Sequence, residues 1–241
     1  MKKHLIILSA LLMSVFCSCS EFGGDPVTKE FSIDGPYTAL SVSDAFKVTV
    51  SDKIDRAVVT AGEGIMEKVL VDISGSTLII HLRPWTINMG PDMEVIIPYN
   101  PDLTTIHLSG ASEFRSSYGI GGDEMSIHLS GASEFTCDVN AEKLELDLSG
   151  ASAAKMIGAV SDLRIGISGS SRIAERVSGG RYAFSCDKCE GSISGASRAY
   201  IHCDGQISVS LSGASTLHYT GNASTSGSHT SGASGIIHEV L

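Results

Sequence analysis

The sequence predicts an all-β fold, a single-stranded parallel β-helix (solenoid) that winds right-handed and begins with irregular N-terminal coils. Three observations predict this fold. A five-residue phrase, LSGAS, recurs along the chain with a period near 19 residues, which is typical of solenoid repeats. Apolar and polar residues alternate before each copy, as they do in strands with one buried face. Glycine, serine and β-branched residues fill the repeats, and this composition disfavours helices.

The repeated phrase occurs seven times, four times as LSGAS and three times as the variants ISGSS, ISGAS and TSGAS, and it is predicted to be a stacked turn. The residues assigned to this turn are its first serine and its glycine in each copy: Ser109, Gly110, Ser130, Gly131, Ser149, Gly150, Ser168, Gly169, Ser194, Gly195, Ser212, Gly213, Ser231 and Gly232. Glycine adopts positive φ without a steric penalty, and a sharp corner requires that conformation. The alanine in third place and the two serines are small enough for the inside of a corner. Their hydroxyls are expected to bond neighbouring coils.

Strands are predicted on both sides of the turn. In the second copy, the apolar residues Met125, Ile127 and Leu129 lie five, three and one positions before the first serine. After the turn, the fifth place holds an apolar residue in every copy: Phe114, Phe135, Ala154, Ile173, Ala199, Leu217 and Ile236. Each coil therefore has two short strands with one buried face. The right-handed winding is expected because parallel crossover connections have that handedness.

The N-terminus is predicted to be an export signal. A short basic start precedes the apolar run Leu5–Phe16, which has too few residues to span a bilayer. Cys19 follows that run and resembles the cleavage site of a bacterial lipoprotein, with Glu21 shortly after it. We therefore assign residues 1–18 to a lipoprotein signal peptide, Cys19 to lipidation and residues 19–28 to a tether. An ordinary secretory peptide is the alternative.

The rest of the chain divides into two regions. Residues 29–103 contain strand-like stretches such as Ala45–Val50 without the repeated phrase, and residues 104–241 contain all of its copies. We predict irregular β coils for the first region, which cap the end of the solenoid, and regular coils for the second. Within the first region, Ser74–Thr77 resembles a degenerate copy of the phrase. Gly62–Lys68 is predicted to form a short helical turn.

The charge balance excludes some partners. The formal net charge of the 241 residues is −10, and removal of Lys2 and Lys3 with a signal peptide leaves about −12. A strongly acidic chain is repelled by nucleic acid and by anionic membranes. We expect no nucleic-acid partner, and contact with a membrane through the lipid anchor only.

The repeated phrase also carries a resemblance. Together with the strand-like segments Phe31–Ile33 and Tyr37–Val42 and the approach Pro98–Ile106, it resembles the head GIN domain family of Bacteroidetes, whose members carry the label of autotransporter adhesins. The resemblance runs from about Lys29 to the C-terminus. It implies a single-stranded β-helix in an exported lipoprotein, and it supplies no catalytic residues.

Four cysteines follow the predicted signal peptide and tether. Cys186 and Cys189 form a CxxC, and the others are Cys137 and Cys203. One CxxC without a second pair is a weak zinc signal, and Cys189 falls in an inward-facing column. Buried free thiols and one disulfide within the 26-residue coil both remain open. Export makes the disulfide chemically accessible.

Two columns of polar residues contain side chains that can bind metal ions. His107 and His128 are expected to lie one above the other, as are Glu113 and Glu134. Stacked imidazoles or carboxylates can bind cations. However, Asp147 interrupts the histidine column at the next coil, so we interpret both columns as repeats on a solvated face. No metal, cofactor or catalytic residue is predicted.

These observations favour a binding or adhesion module at the outer membrane or cell surface, with no enzymatic activity. A glycan, a host polymer or a protein is the expected ligand. The first alternative is a structural envelope protein that associates weakly with itself through the last coil, Ser231–Leu241. The second is a polysaccharide-active enzyme, which would need clustered carboxylates. The aspartates instead fall at different places in the repeat: Asp123, Asp138, Asp147, Asp162, Asp187 and Asp204.

Overall fold

The structure is a computed structural model that describes residues 24–87, 92–174, 177–178 and 180–241. The predicted signal peptide, Cys19 and the first part of the tether lie outside the described residues. The described chain is almost entirely strand, so the all-β prediction is confirmed. No helix among the described residues has the length and apolar character needed to cross a bilayer.

Twenty strands and one short helix make up the described chain. Before the first repeat the elements are β1 (Pro26–Phe31), β2 (Ala39–Val42), β3 (Phe46–Ser51), β4 (Ala57–Gly62), α1 (Glu63–Met66), β5 (Val69–Ser74), β6 (Thr77–Leu82) and β7 (Met93–Pro98). The repeats contain β8 (Thr105–Leu108), β9 (Glu113–Arg115), β10 (Ile120–Leu129), β11 (Glu134–Leu148), β12 (Ala153–Ile167) and β13 (Arg172–Ile173). They continue with β14 (Val177–Ser178), β15 (Arg181–Tyr182), β16 (Phe184–Ile193), β17 (Arg198–Leu211), β18 (Thr216–Thr220), β19 (His229–Thr230) and β20 (Gly235–His238).

The repeat strands form two parallel ladders, one on each side of the turns. Before the turn, β8, β10, β11, β12, β16, β17 and β19 pair in that order, so that Leu129 has Leu108 on one side and Leu148 on the other. After the turn, β9, β11, β12, β13, β17, β18 and β20 pair in that order. A long strand such as β11 belongs to both ladders, because it runs from one turn to the next. We call the residues from one turn to the next a coil.

Columns of apolar side chains fill the space between the ladders. The column three places before the first serine is buried at Ile106, Ile127, Leu146, Ile165 and Val209. In the ladder after the turn, the buried rings of Phe114 and Phe135 stack with their centroids 5.5 Å apart. Full burial of one such side chain contributes about 1.5–3 kcal/mol, so the columns are the main source of stability. The predicted inward residues Met125, Ile127 and Leu129 are buried, and so are six of the seven fifth-place residues. The exception is Ile236 in the last coil, which is partly buried.

The turns stack directly on one another. All seven glycines of the phrase have φ between +73° and +76°. In six successive turns, the amide of the third residue donates to the carbonyl of the preceding glycine, at 2.6 to 2.8 Å: Ala132 to Gly110, Ala151 to Gly131, Ser170 to Gly150, Ala196 to Gly169, Ala214 to Gly195 and Ala233 to Gly213. A Cβ atom on Gly150 would lie 2.4 Å from the carbonyl oxygen of Gly131. Glycine is therefore required twice, for its φ and for its missing side chain.

One detail of the predicted turn is wrong. The alanine in third place, such as Ala132, is exposed instead of facing the inside of the corner. Only the fourth residue points inward, and Ser133 and Ser152 are buried there. The hydroxyl of Ser133 donates to the carbonyl of Ser130 within its own turn, at 2.7 Å. The first serine instead reaches the preceding coil, since the hydroxyl of Ser149 donates to the carbonyl of Leu129 at 3.4 Å.

An eighth corner lies between β2 and β3, where the sequence shows no copy of the phrase. Val42 pairs with Leu108 and Lys47 with Glu113, so Ser43 to Phe46 occupy the same place as the first repeated turn. Asp44 stands in the glycine position with φ +63°. Its carboxylate accepts the amide of Leu82 at 2.9 Å, which compensates for the left-handed backbone.

The region before the repeats is built differently from the repeats. Strand β2 lies between β6 and β8, and β3 lies between β7 and β9, so the spatial order does not follow the sequence order. Strands β5 and β6 form an antiparallel hairpin, and β4 pairs antiparallel with β1 and β7. Gly75, in the expected degenerate copy of the phrase, is in the hairpin turn, and no atom lies within 4 Å of a Cβ placed there. It is not a stacked corner.

At the other end, the longest coil folds back over the last one. Its extra residues form the β14–β15 hairpin. The hydroxyl of Tyr182 hydrogen-bonds the carboxylate of Glu239, and His218 Nδ1 lies 2.6 Å from the same carboxylate. These hydrogen bonds lower the pKa of Glu239. A Cβ on Gly180 would lie 3.2 Å from the carbonyl oxygen of Leu241, so the hairpin reaches the C-terminus.

The stacked turn makes a direct stability prediction. Gly150→Ala places a Cβ against the Gly131 carbonyl in a left-handed backbone, and we expect it to lower the free energy of unfolding by about 2–4 kcal/mol. Gly122→Ala is the matched control in β10, because its Cβ would meet only Thr104 Cγ2 at 3.8 Å. Denaturant unfolding of both variants measures the difference. Equal losses would contradict the stacking of the turns.

Candidate functional site: a charged groove across four coils

A concave surface of the described chain crosses four neighbouring strands. It is a groove of about 660 Å³ on the outer face of β10, β11, β12 and β16. Because these strands pair in register, each outward position forms a column that runs along the axis of the ladder. Two charged columns line the groove, and the apolar residues Met125, Leu144 and Leu163 lie between them in sequence.

Opposite charges alternate along each column. In the first column, Glu124, Lys143, Asp162 and Lys188 follow one another on successive strands. Lys143 Nζ lies 2.9 Å from Glu124 Oε1, and Lys188 Nζ lies 3.7 Å from Asp162 Oδ1. Cross-strand pairs of opposite charge stabilise a sheet modestly, whereas like charges destabilise it. The alternation therefore permits dense charge on a stacked surface.

The second column holds the groove's arginine. Glu145, Arg164 and Glu190 lie on successive strands, and Arg164 Nη2 is 2.6 Å from Glu190 Oε1. This hydrogen bond raises the pKa of Arg164, and the hydrogen bond with Glu124 raises the pKa of Lys143. All these side chains are solvent-accessible, and exposed ion pairs contribute little to stability. An incoming polar ligand can exchange its own groups for these pairs at little cost.

The two histidines predicted to stack do stack. The rings of His107 and His128 lie 4.7 Å apart and nearly parallel. His128 uses both ring nitrogens, since Nε2 lies 2.7 Å from Ser126 Oγ and Nδ1 lies 3.1 Å from Asp147 Oδ2. Loss of water around the stacked ring, and then the nearby His128, lower the pKa of His107. The pair is a stacked surface feature in which other side chains engage both ring nitrogens of His128.

The glutamate column meets cations from the chain itself. Glu113 and Glu134 are register partners, as predicted. Arg115 contacts Glu113 and lies 3.4 Å from Glu134, and Lys155 Nζ lies 2.5 Å from Glu134 Oε1. Among the described residues, no group of three or more histidine, cysteine or acidic side chains is placed to hold a metal ion.

The four cysteines described by the structure are buried, unbonded thiols. Burial raises the pKa of Cys137 to about 11. Cys186 pairs in register with Cys203 on the next strand. A hydrogen bond with Cys189, together with burial, raises the pKa of Cys186, and a hydrogen bond with Cys186 raises the pKa of Cys203. Thiols held protonated in this way are poor nucleophiles and poor metal ligands.

A smaller pocket, which was not predicted from the sequence, lies beside the thiol of Cys186. It has a volume of about 290 Å³ and contains Arg181, His202 and Asp204. His202 Nδ1 lies 2.9 Å from Thr220 Oγ1, and Nε2 lies 3.1 Å from Asp204 Oδ2. The backbone amide of Asn222, and then His202, lower the pKa of Asp204. These residues come from different coils and have no regular spacing in the sequence, so no sequence pattern predicts the pocket.

Fold and surface together define a repeat protein of stacked parallel strands that presents a charged groove on its outer face. The chain belongs to the family described as "Putative auto-transporter adhesin, head GIN domain", whose model matches residues 36–223. This membership confirms the resemblance seen in the repeated phrase.

Solved structures share the fold. A "putative adhesin" from Bacteroides fragilis is 16% identical with a TM-score of 0.76, covering 89% of this chain and 97% of that one. A "putative adhesin" from Parabacteroides merdae is 15% identical with a TM-score of 0.65, covering 90% and 97%. A "putative lipid binding protein" from Parabacteroides distasonis is 20% identical with a TM-score of 0.66, covering 90% and 97%. No curated protein matches the chain.

The histidine stack makes a titration prediction. Because the pKa of His107 is lowered below 6.5, the unfolded chain binds more protons at this site as the pH falls through that range, and stability decreases with falling pH. His128→Gln removes the stacked ring and its charge, so we expect the His107 pKa to rise toward 6.5. NMR titration of the imidazole protons measures it. His229→Gln, in the last coil, is the control, and equal effects of both variants would contradict the local cause.

Proposed function

We propose that this protein is an exported lipoprotein, anchored through Cys19 at the outer membrane or cell surface, that binds an extended polar ligand without catalysing a reaction. The charged groove across β10, β11, β12 and β16 is the observation that carries the proposal. We infer that the two ladders are the walls of a right-handed parallel β-helix, so that the groove is one flat side of a rigid rod.

The groove suits a polymer that runs along the ladder. Its columns repeat once per coil, about every 4.8 Å, so a chain laid across the strands meets a charged group at each step. Four acidic and three basic side chains line it, and most of them are paired with each other. Such a surface favours hydrogen bonds to hydroxyl, amide and charged groups over apolar contact. Glycans and polar host polymers have this chemistry.

Catalysis is not part of the proposal. Acidic and basic residues alternate along both columns of the groove, so neighbouring positions on adjacent strands do not hold two carboxylates. A glycosidase needs two free carboxyl groups on either side of the scissile bond, whereas Glu124, Asp162 and Glu190 are each ion-paired with a lysine or an arginine of a neighbouring strand. In the smaller pocket, the nearest thiol, Cys186, has a raised pKa, so it does not supply the thiolate that Cys–His chemistry needs. The family description as an adhesin favours binding as well.

Binding of a lipid inside the ladder is not supported, although the similar structure from Parabacteroides distasonis carries a lipid-binding description. The interior columns are filled by side chains that are at most 2% exposed, among them Ile127, Phe135, Leu146 and Ile165. A folded acyl chain would have to displace this packing.

Self-association through the last coil is the second candidate function. Within the described chain, β20 pairs with β18 only, so its outer edge has free backbone groups. Ile237, Val240 and Leu241 are exposed at this end, with Val240 93% exposed. An exposed apolar edge strand is a template for pairing with another chain. The β14–β15 hairpin covers the side of this coil through Tyr182 and leaves the edge of β20 uncovered.

Anchoring is tested by Cys19→Ser. The variant lacks the thiol that a lipid would modify, so we expect it to leave the membrane fraction and lose labelling by a fatty-acid probe. Cys17→Ser is the matched control and keeps Cys19. Membrane fractionation that is unchanged in Cys19→Ser would contradict the anchor.

Ligand binding is tested on arrays of glycans and extracellular polymers with purified protein. We expect Arg164→Glu to weaken binding at least about tenfold, since a repulsive or unpaired charge in a contact costs about 1–3 kcal/mol. Arg198→Glu makes the same change on the exposed face outside the groove and should bind like the unsubstituted protein. Equal binding by both variants would contradict the role of the groove.

A further inference from the structure

Two apolar side chains, those of Trp85 and Ile87, are exposed to solvent at the N-terminal end of the ladder. Trp85 is fully exposed and Ile87 is 78% exposed, both in the segment between β6 and β7. Trp85 is the single tryptophan of the chain. Its backbone has φ +67°, a left-handed conformation that is strained for a residue with a large side chain. A strained backbone that holds a large apolar ring in solvent points to a contact made outside the domain.

This pair lies at the end where the described chain begins. A Cβ on Gly24 would lie 3.2 Å from Glu63 Cβ, at the start of α1. Lys68 lies two residues after the end of α1, and its carbonyl accepts a hydrogen bond from the amide of Arg83 at 2.8 Å. Trp85 is two residues after Arg83. This short series of contacts keeps Gly24 within about 25 Å of Trp85.

The proposed lipid anchor brings a bilayer to the same end. Cys19 precedes Gly24 by five residues, which span at most about 18 Å when fully extended. The last coil is far away, because nine strands from β6 to β19 stack in one ladder, with a length of about 40 Å. An anchored domain therefore has its Trp85 end within reach of the membrane and its last coil out of reach.

We propose that Trp85 and Ile87 insert into the interface of the bilayer that holds the lipid anchor, as a second contact that fixes the orientation of the domain. This inference rests on the proposed anchor at Cys19. Tryptophan rings prefer the boundary between headgroups and acyl chains. An inserted ring fixes the orientation of a domain that a flexible lipid tether leaves free to rotate. The contact presents the groove and the last coil away from the membrane.

Charge at this end fits a neutral surface. Exposed residues of both charges lie at this end of the described chain, among them Glu63, Glu67, Lys68 and Arg83. The whole chain is acidic, with a formal charge of −10. Electrostatic attraction to anionic lipid is therefore absent, and insertion of the apolar pair supplies the contact. We expect zwitterionic phosphatidylcholine to support it, with little dependence on salt.

The single tryptophan makes the test direct. The chain from Ser20 onward contains every residue that the structure describes, and an N-terminal hexahistidine tag tethers it to phosphatidylcholine vesicles that contain a nickel-chelating lipid. We expect the Trp85 emission to shift to the blue on tethering, and brominated phosphatidylcholine to quench it. The same protein with a C-terminal tag keeps Trp85 about 40 Å from the bilayer, so its emission should not change.

Variants at the two ends sharpen the result. Ile87→Ser should reduce the quenching by brominated lipid, whereas Ile237→Ser, in the last coil, should not. Emission that stays at the wavelength of the free protein in the N-terminally tethered form overturns the proposal, as does an equal shift with the C-terminal tag. The tag replaces the natural anchor, so this test does not depend on whether Cys19 is lipidated. Lipidation of Cys19 is tested separately, by membrane fractionation of the Cys19→Ser variant.

Discussion

The hydrogen bond between successive turns is the constraint on which the repeats depend. The amide after each glycine donates to the carbonyl of the glycine one coil earlier, at 2.6 to 2.8 Å. Any side chain at the glycine would occupy the position of that carbonyl. Turns that stack this closely fix the register of the strands on both sides. A residue and its counterpart in the next coil must then lie side by side in the ladder.

The same register organises the surface. Inside the ladders, the register places similar apolar side chains next to one another, as in the stack of Phe114 on Phe135. Outside, it would align like charges if the repeats were identical, and repulsion along a column would destabilise the ladder. The chain avoids this by alternating sign, as in Glu124, Lys143 and Asp162. The charged groove is therefore a consequence of divergence between repeats at outward positions.

Much of the fold was predictable because the repeats encode it twice, in the phrase and in the alternation around it. The corner at Ser43 to Phe46 was not, because Asp44 replaces glycine and its carboxylate bond to Leu82 spans 38 residues. The order of β2 between β6 and β8 was hidden for a similar reason, since no local signal identifies a partner far along the chain. The groove was not predicted because its residues occupy equivalent positions in successive coils but are of different residue types.

Amide hydrogen exchange tests the central claim most directly. The third residues of the turns, such as Ala132 and Ala151, are exposed, so only the bond to the preceding glycine carbonyl can protect their amides. The hairpin turn at Gly75 and Ser76 is similarly exposed and has no turn stacked on it, which makes it the internal reference. We expect the amides of Ala132 and Ala151 to exchange at least about a hundredfold more slowly than that reference, as amides that open only with the ladder do. Exchange as fast as at Gly75 would show that the turns do not hold the coils together.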